Sequence, residues 1–242
     1  ADPRNADELP FVYENGLKVV PTQATVMAWG AGNTTALGIN FIMVVHGEQR
    51  LTVHKPLPAE GDILADWSVT EIVDKGPKGA AIYTDTVLKD AKTGKKLATL
   101  GGTIMARADG GFGGPSEGGA PVHQVPDRAP DKTVSVLTSP DQALIYRLSG
   151  DRNPLHSDPG FAKAAGFPRP ILHGLCTYGL CCRAALEAYA DYTPERIKQF
   201  DVRFSAPVFP GETIDVDFWE DGDVLSFEAR VADRDVKVIK NG

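Results

Sequence analysis

Tyr146-Arg147-Leu148-Ser149-Gly150-Asp151-Arg152-Asn153-Pro154-Leu155-His156-Ser157-Asp158, followed by Pro170-Ile171-Leu172-His173-Gly174, discloses more than any other part of this chain. A loop broken by Gly150 and Pro154 carries a carboxylate (Asp151), an amide (Asn153) and an imidazole (His156) in close succession. Taken alone, Asp151 reads as a turn residue, because Gly-Asp and Asn-Pro both favour turns. Taken together, an acid and an imidazole this close can hold one water between them, take a proton from it and return one elsewhere. His173-Gly174 then leads into a long apolar run, and a glycine amide at a helix start can stabilise negative charge developing on an oxygen. These are the parts needed to add water to a double bond conjugated to a carbonyl.

With its polar residues at fixed spacings, the run resembles the R-specific 2-enoyl-CoA hydratases (hydratase 2, MaoC-like), a family with the hot-dog fold. The match covers Tyr146 through Pro159, Gly166-Phe167 and Pro170 through Gly174. The resemblance implies hydration of trans-2-enoyl-CoA to (R)-3-hydroxyacyl-CoA, with Asp151 and His156 as the acid/base pair. It implies further that Asn153 orients the water and that the Gly174 N–H donates to the thioester oxygen. Tyr146, Asp158 and His173 match other polar positions of the motif and are expected to support the site. Which of Asp151 and His156 takes the first proton is left open by the sequence.

Working outward, Ala108 to Pro130 is rich in glycine and proline, can bury little, and predicts a linker over 109–130. The segments on either side look alike, as in a diverged repeat. After the linker, Ser139-Pro140-Asp141-Gln142 predicts a helix start with Ser139 as the cap. The active loop follows, then a helix over 174–190. Strands are expected over 197–204, 212–220 and 224–233, with another beginning at 236–239. Before the linker, Val20–Trp29 reads as an apolar helical stretch, followed by strands over 51–54, 62–73, 80–89 and 96–106. A helix wrapped by a curled antiparallel sheet, twice over, is an α+β double hot-dog. The expected organisation is an N-terminal repeat over 1–108, the linker, and a catalytic repeat over 131–242.

The first repeat has lost its copy of the site. Val20-Pro21-Thr22 stands where the second repeat has Leu172-His173-Gly174. Asp2 falls near the counterpart of Asp151, and nothing takes the part of His156. The resemblance implies that this half serves as an acyl-chain tunnel for medium or long substrates. Glu14, Phe11 and Trp29 are the candidate substrate-binding residues, with plain core packing as the alternative for the two aromatics. His46-Gly47-Glu48-Gln49 also resembles the two-repeat members, but His46 and His54 have no third ligand in sequence and predict no metal site. Residues are expected to precede Ala1, since the second repeat carries more chain before its loop than the first.

The 242 residues, 42% hydrophobic and 24% charged, suit a globular protein, and a net charge of −7 argues against a general nucleic-acid binder. No run is apolar enough to span a membrane. Cys176, Cys181 and Cys182 match no zinc spacing and are expected as small core residues. No metal or redox cofactor is expected, CoA being part of the substrate. A homodimer is compatible with the sequence, and the expected compartment is the cytoplasm, or the peroxisome in a eukaryote. Two other functions share the same parts: a 3-hydroxyacyl-CoA or acyl-carrier-protein dehydratase, and a non-catalytic acyl-CoA binding subunit. A hot-dog thioesterase fits less well.

Overall fold

Alternating side chains in the first half build four antiparallel strands: β1 (Val44–Val53), β2 (Ile63–Asp74), β3 (Ala80–Asp90) and β4 (Lys96–Ala106). The second half supplies β5 (Lys132–Leu137), β6 (Val202–Phe204), β7 (Thr213–Asp221), β8 (Val224–Val231) and β9 (Val236–Lys240). The structure is a computed structural model that describes residues 4–242, so Asp2 lies outside the described residues. All nine strands join one sheet in the order β2-β3-β4-β1-β6-β9-β8-β7-β5. The seam between the halves is short: Glu48 and Gln49 of β1 pair with Arg203 and Val202 of β6.

Among the described residues, four α-helices accompany the sheet: α1 (Gln23–Met27), α2 (Gln142–Tyr146), α3 (Pro159–Ala164) and α4 (Gly174–Tyr189). Helix α4 is the centre of the fold. It is lined by small residues, so it sits close against the concave face of the sheet. Cys176, Cys181, Cys182, Ala184 and Ala185 share one core with Ile214, Val216, Phe218, Phe227 and Ala229. Burying a side chain such as Phe218 contributes about 1.5–3 kcal/mol. Tyr178, fully buried, satisfies its hydroxyl by donating to the Phe200 carbonyl at 2.7 Å. The three thiols are free and buried, and burial pushes the Cys176 thiol up to about 12. They are packing groups.

Among the described residues, the first half has no such helix. The stretch expected as a helix over Val20–Trp29 forms only the five residues of α1. Pro21 removes a donor at its start, and Gly30 takes a positive φ of 81° just after it. The concave face of β1–β4 is therefore left partly uncovered, and a cavity occupies the space.

Other elements differ from expectation for local reasons. Strand β1 begins at Val44 rather than Leu51, running through a bulge at His46–Glu48 where Gly47 lies against the Met105 side chain. The strand expected from Ile197 shortens to Val202–Phe204, residues 198–200 keeping only an isolated bridge, Thr52 to Gln199, and single backbone bonds to β1. Lys132–Leu137 forms the unexpected edge strand β5. At the predicted helix start only half of the capping box forms: Gln142 Oε1 accepts from the Ser139 N–H at 3.4 Å. The Ser139 hydroxyl turns instead to Asp141. The segment 109–130 has no regular structure but is fastened down. Gly111 and Gly113 donate to Asp74, Gly119 donates to Glu71, and His123 hydrogen-bonds Ser226.

Candidate active site

The active loop braces itself. Asp151 Oδ1 accepts the Asn153 N–H at 3.1 Å, and Asn153 Oδ1 accepts the Leu155 N–H at 3.0 Å. Asn153 thereby caps a 3-10 turn, Pro154–His156, that turns His156 inward. Its carbonyl oxygen accepts that one bond, and its amide NH₂ has no partner among the described residues and can meet a water. Asp158 caps α3, accepting from Gly160 at 2.7 Å and Phe161 at 3.0 Å. It supports the loop's exit and does not line the cavity.

His156 is buried, and its Nδ1 lies 2.9 Å from the Ile171 carbonyl. A carbonyl only accepts, so the ring hydrogen sits on Nδ1 and the Nε2 lone pair is free. Burial lowers the His156 pKa, partly offset by the Ile171 carbonyl and the Asp151 carboxylate. His173 stacks on His156 with ring centroids 3.7 Å apart and planes inclined by 26°. Its Nε2 donates to the Asp151 carbonyl at 3.2 Å, tying the turn to the start of α4. Burial, then the neighbouring His156, bring the His173 pKa down to about 3. Tyr146 closes the column, its ring centroid 4.8 Å from that of His173. Tyr146 and His173 therefore hold the other two in place.

Asp151, His156 and His173 offer polar atoms that all lie within 4.8 Å of one another. Two nearly parallel imidazoles direct their in-plane lone pairs side by side, and each spends one nitrogen on a backbone carbonyl. This arrangement suits a water between Asp151 and His156 better than a shared metal ion.

Helix α4 begins at Gly174 with no side-chain cap, since His173 at the capping position turns elsewhere. The first amides of a helix have no acceptor within it. Gly174 N–H thus remains available at the cavity wall, at the positive end of a 16-residue helix. A Cβ at Gly174 would lie 3.2 Å from the Phe204 ring, so glycine lets that ring pack close.

The cavity, about 610 Å³, runs from Asp151, His156 and Gly174 into the first half. Trp29 stands at this wall: a Cβ on Gly150 would meet its ring at 2.9 Å, and Gly150 takes a φ of 119°. Of the other candidates from sequence, Phe11 packs against the main core and Glu14 is exposed, and neither lines the cavity. The sequence reading missed His46, Gln49, Trp67, Thr84, Thr86 and Phe204, which do line it. Period-two alternation would have put Thr84 and Thr86 on one face with Ile82 and Leu88.

Three imidazoles in this region, half-buried His46 and buried His156 and His173, have lowered pKa values, those of His46 and His173 to about 4 and about 3. The unfolded chain binds their protons near the ordinary histidine value of 6.5. Below that pH the unfolded state holds more protons than the folded one, so stability falls with acidification at about 1.4 kcal/mol per pH unit per group. The loss levels off only near the folded values. Thermal unfolding between pH 7 and 4 is expected to show this slope, and His46→Phe to flatten it. An unchanged slope in that variant would remove His46 from the account.

Comparison with known proteins agrees with this geometry. The description "MaoC like domain" matches residues 121–242, and "MFE-2 hydratase 2 N-terminal domain" matches residues 4–108. A Mycobacterium tuberculosis protein named enoyl-CoA hydratase ChsH3 is 41% identical over 248 residues, covering all of this chain and 86% of that protein. Peroxisomal multifunctional enzyme type 2 of Mus musculus is 38% identical over 252 residues, but this chain spans only 34% of its length. The crystal structure of a MaoC-like dehydratase from Phytophthora capsici superposes with a TM-score of 0.86 at 32% identity, covering 97% of this chain and 85% of that one.

Proposed function

We propose, from the premise that this chain belongs to the MaoC-like hydratase 2 family, that it adds water reversibly to trans-2-enoyl-CoA to give (R)-3-hydroxyacyl-CoA. The observation that carries the reading is the neutral His156 with its hydrogen fixed on Nδ1, beside Asp151 and facing the uncapped start of α4. In that state Nε2 can only accept, so His156 is the first base. Its Nε2 takes a proton from the water as the water oxygen bonds to C3. The C2–C3 π electrons shift toward the thioester, whose oxygen gains charge opposite the Gly174 N–H. C2 then takes the proton back from the imidazolium on the same face, and the thioester carbonyl reforms. Asp151 holds the water and stabilises the imidazolium. Asn153 contributes its amide NH₂, while Tyr146 and His173 fix the rings.

The donor at Gly174 favours the transition state over the substrate, because the charge it meets develops during reaction. No cofactor enters this scheme. The same groups run the reverse dehydration. The cavity's extension over β1–β4 supports medium or long acyl chains. Among the described residues, no helix is long and apolar enough to cross a membrane. A cytoplasmic or peroxisomal setting and a homodimer remain part of the proposal.

The test follows loss of the enoyl-thioester absorbance across a series of trans-2-enoyl-CoAs, with chiral analysis of the product. Rapid loss giving the (R) alcohol is expected. Release of free CoA would mark a thioesterase. Binding without turnover would mark the non-catalytic subunit.

A further inference from the structure

The inner face of β1–β4 carries the wrong residues for a simple hydrocarbon slot. Pairing registers place Thr86 between Trp67 and Leu100, and Thr84 between Val69 and Gly102, with Gln49 next in the same row. Gln49, Thr84 and Thr86 are all buried, and together with His46 they line the cavity. Two polar residues elsewhere on the cavity wall are satisfied internally: Thr25 donates to the Thr22 carbonyl at 2.8 Å and Ser205 to the Lys237 carbonyl at 2.7 Å. The β-strand group is not. Gln49 spends its NH₂ on the Arg50 and Gly101 carbonyls, which leaves Oε1 as an open acceptor. Thr84 reaches the Gly102 carbonyl only at 3.4 Å, and no partner among the described residues meets the Thr86 hydroxyl.

These groups lie away from the reacting atoms. The Phe204 ring stands between His46 and the start of α4, packed on Gly174 on one side and 4.8 Å from the His46 ring on the other. A plain alkyl tail filling this end would strip the water from open polar groups and return no hydrogen bond. The region is polar but uncharged. Among the described residues that line the cavity, the acidic one is Asp151, at the other end, and the two histidines, His46 and His156, have lowered pKa values that keep them neutral.

We propose that the distal end of this cavity is a subsite for an uncharged polar substituent, a hydroxyl or keto group, on the acyl tail. A tail hydroxyl would donate to Gln49 Oε1 and accept from Thr86, with His46 and Thr84 beside it. The subsite rests on the hydratase reading for its thioester, but it can be tested apart from turnover. An ω-carboxylate would find no cation here and is rejected.

Equilibrium binding of saturated, unreactive acyl-CoAs reads tail preference without chemistry. The probes are matched long-chain thioesters: unsubstituted, hydroxylated at successive distal carbons, keto-substituted, and carrying an ω-carboxylate. The best hydroxylated or keto probe is expected to bind at least tenfold more tightly than the unsubstituted chain, and the ω-carboxylate more weakly than either. Thr86→Val and Gln49→Met, nearly isosteric, should bring the hydroxyl-to-alkyl ratio toward one, while Thr86→Ser should retain it. An unsubstituted chain that binds as well as every substituted probe would overturn the subsite, as would a ratio untouched by both variants. Hydration of short but-2-enoyl-CoA, measured alongside, reports on the reaction itself. Failure there with the tail preference intact would sink the hydratase reading and leave the subsite standing.

Discussion

Asp151→Asn is expected to lower kcat for enoyl-CoA hydration by roughly 10²–10⁴-fold, the range for loss of a positioned acid/base group. The substitution keeps the side chain's size, and its remaining oxygen can still accept the Asn153 N–H that braces the turn. The fold should survive, because Asp151 lies outside the main core and His173 bonds its backbone carbonyl, not its carboxylate. What disappears is the charge that orients the water and stabilises a protonated His156. Asp151 raises the His156 pKa against the stronger effect of burial. Any residual activity should therefore persist to lower pH than in the parent. Near-parent turnover in a folded Asp151→Asn protein would remove the carboxylate from the mechanism.

His156→Gln should cost a similar factor by a different route. Glutamine can occupy the space and bond the Ile171 carbonyl, but its amide cannot take a proton from water. In the parent protein kcat/KM should be flat through neutral pH. It should fall on the acid side only below the usual imidazole range, because burial lowers the pKa of the group that must be unprotonated. His156→Gln should abolish that limb along with most of the rate. Combining the two substitutions should cost little more than either alone, since both groups act on one water. Strict multiplication of the two losses would mean that Asp151 and His156 serve separate steps.

The site was legible in sequence where chemistry sits at fixed spacing in one short segment. Asp151, Asn153 and His156 fall within six residues of loop, and His173-Gly174 announces its helix. Their roles divided only in three dimensions. Asp158 proved to be a helix cap, and Asn153 also caps a turn by accepting the Leu155 amide. The Tyr146–His173–His156 column depends on packing that spacing does not encode. The long helix was readable from a continuous run of apolar and small residues, and β2 from its alternation. By contrast, Gly47 disguised the start of β1, because a bulge and a strand end look alike in one dimension. The distal cavity was the least legible part. Its wall is assembled across β1, β3 and β4, and strand register decides that Thr86, Gly102 and Gln49 share a face. The apolar stretch at 20–29 suggested a helix that would have filled that space, and only the fold shows that it stops short.

The most direct test of the mechanism is hydration of a trans-2-enoyl-CoA in deuterium oxide, with the configuration at C2 and C3 of the product determined together. One water handled on one face by Asp151 and His156 requires an (R) hydroxyl at C3 and deuterium delivered to C2 on the same side. A single syn, 3R product is the predicted result. An (S) alcohol, anti addition or a scrambled C2 would contradict a single shared water.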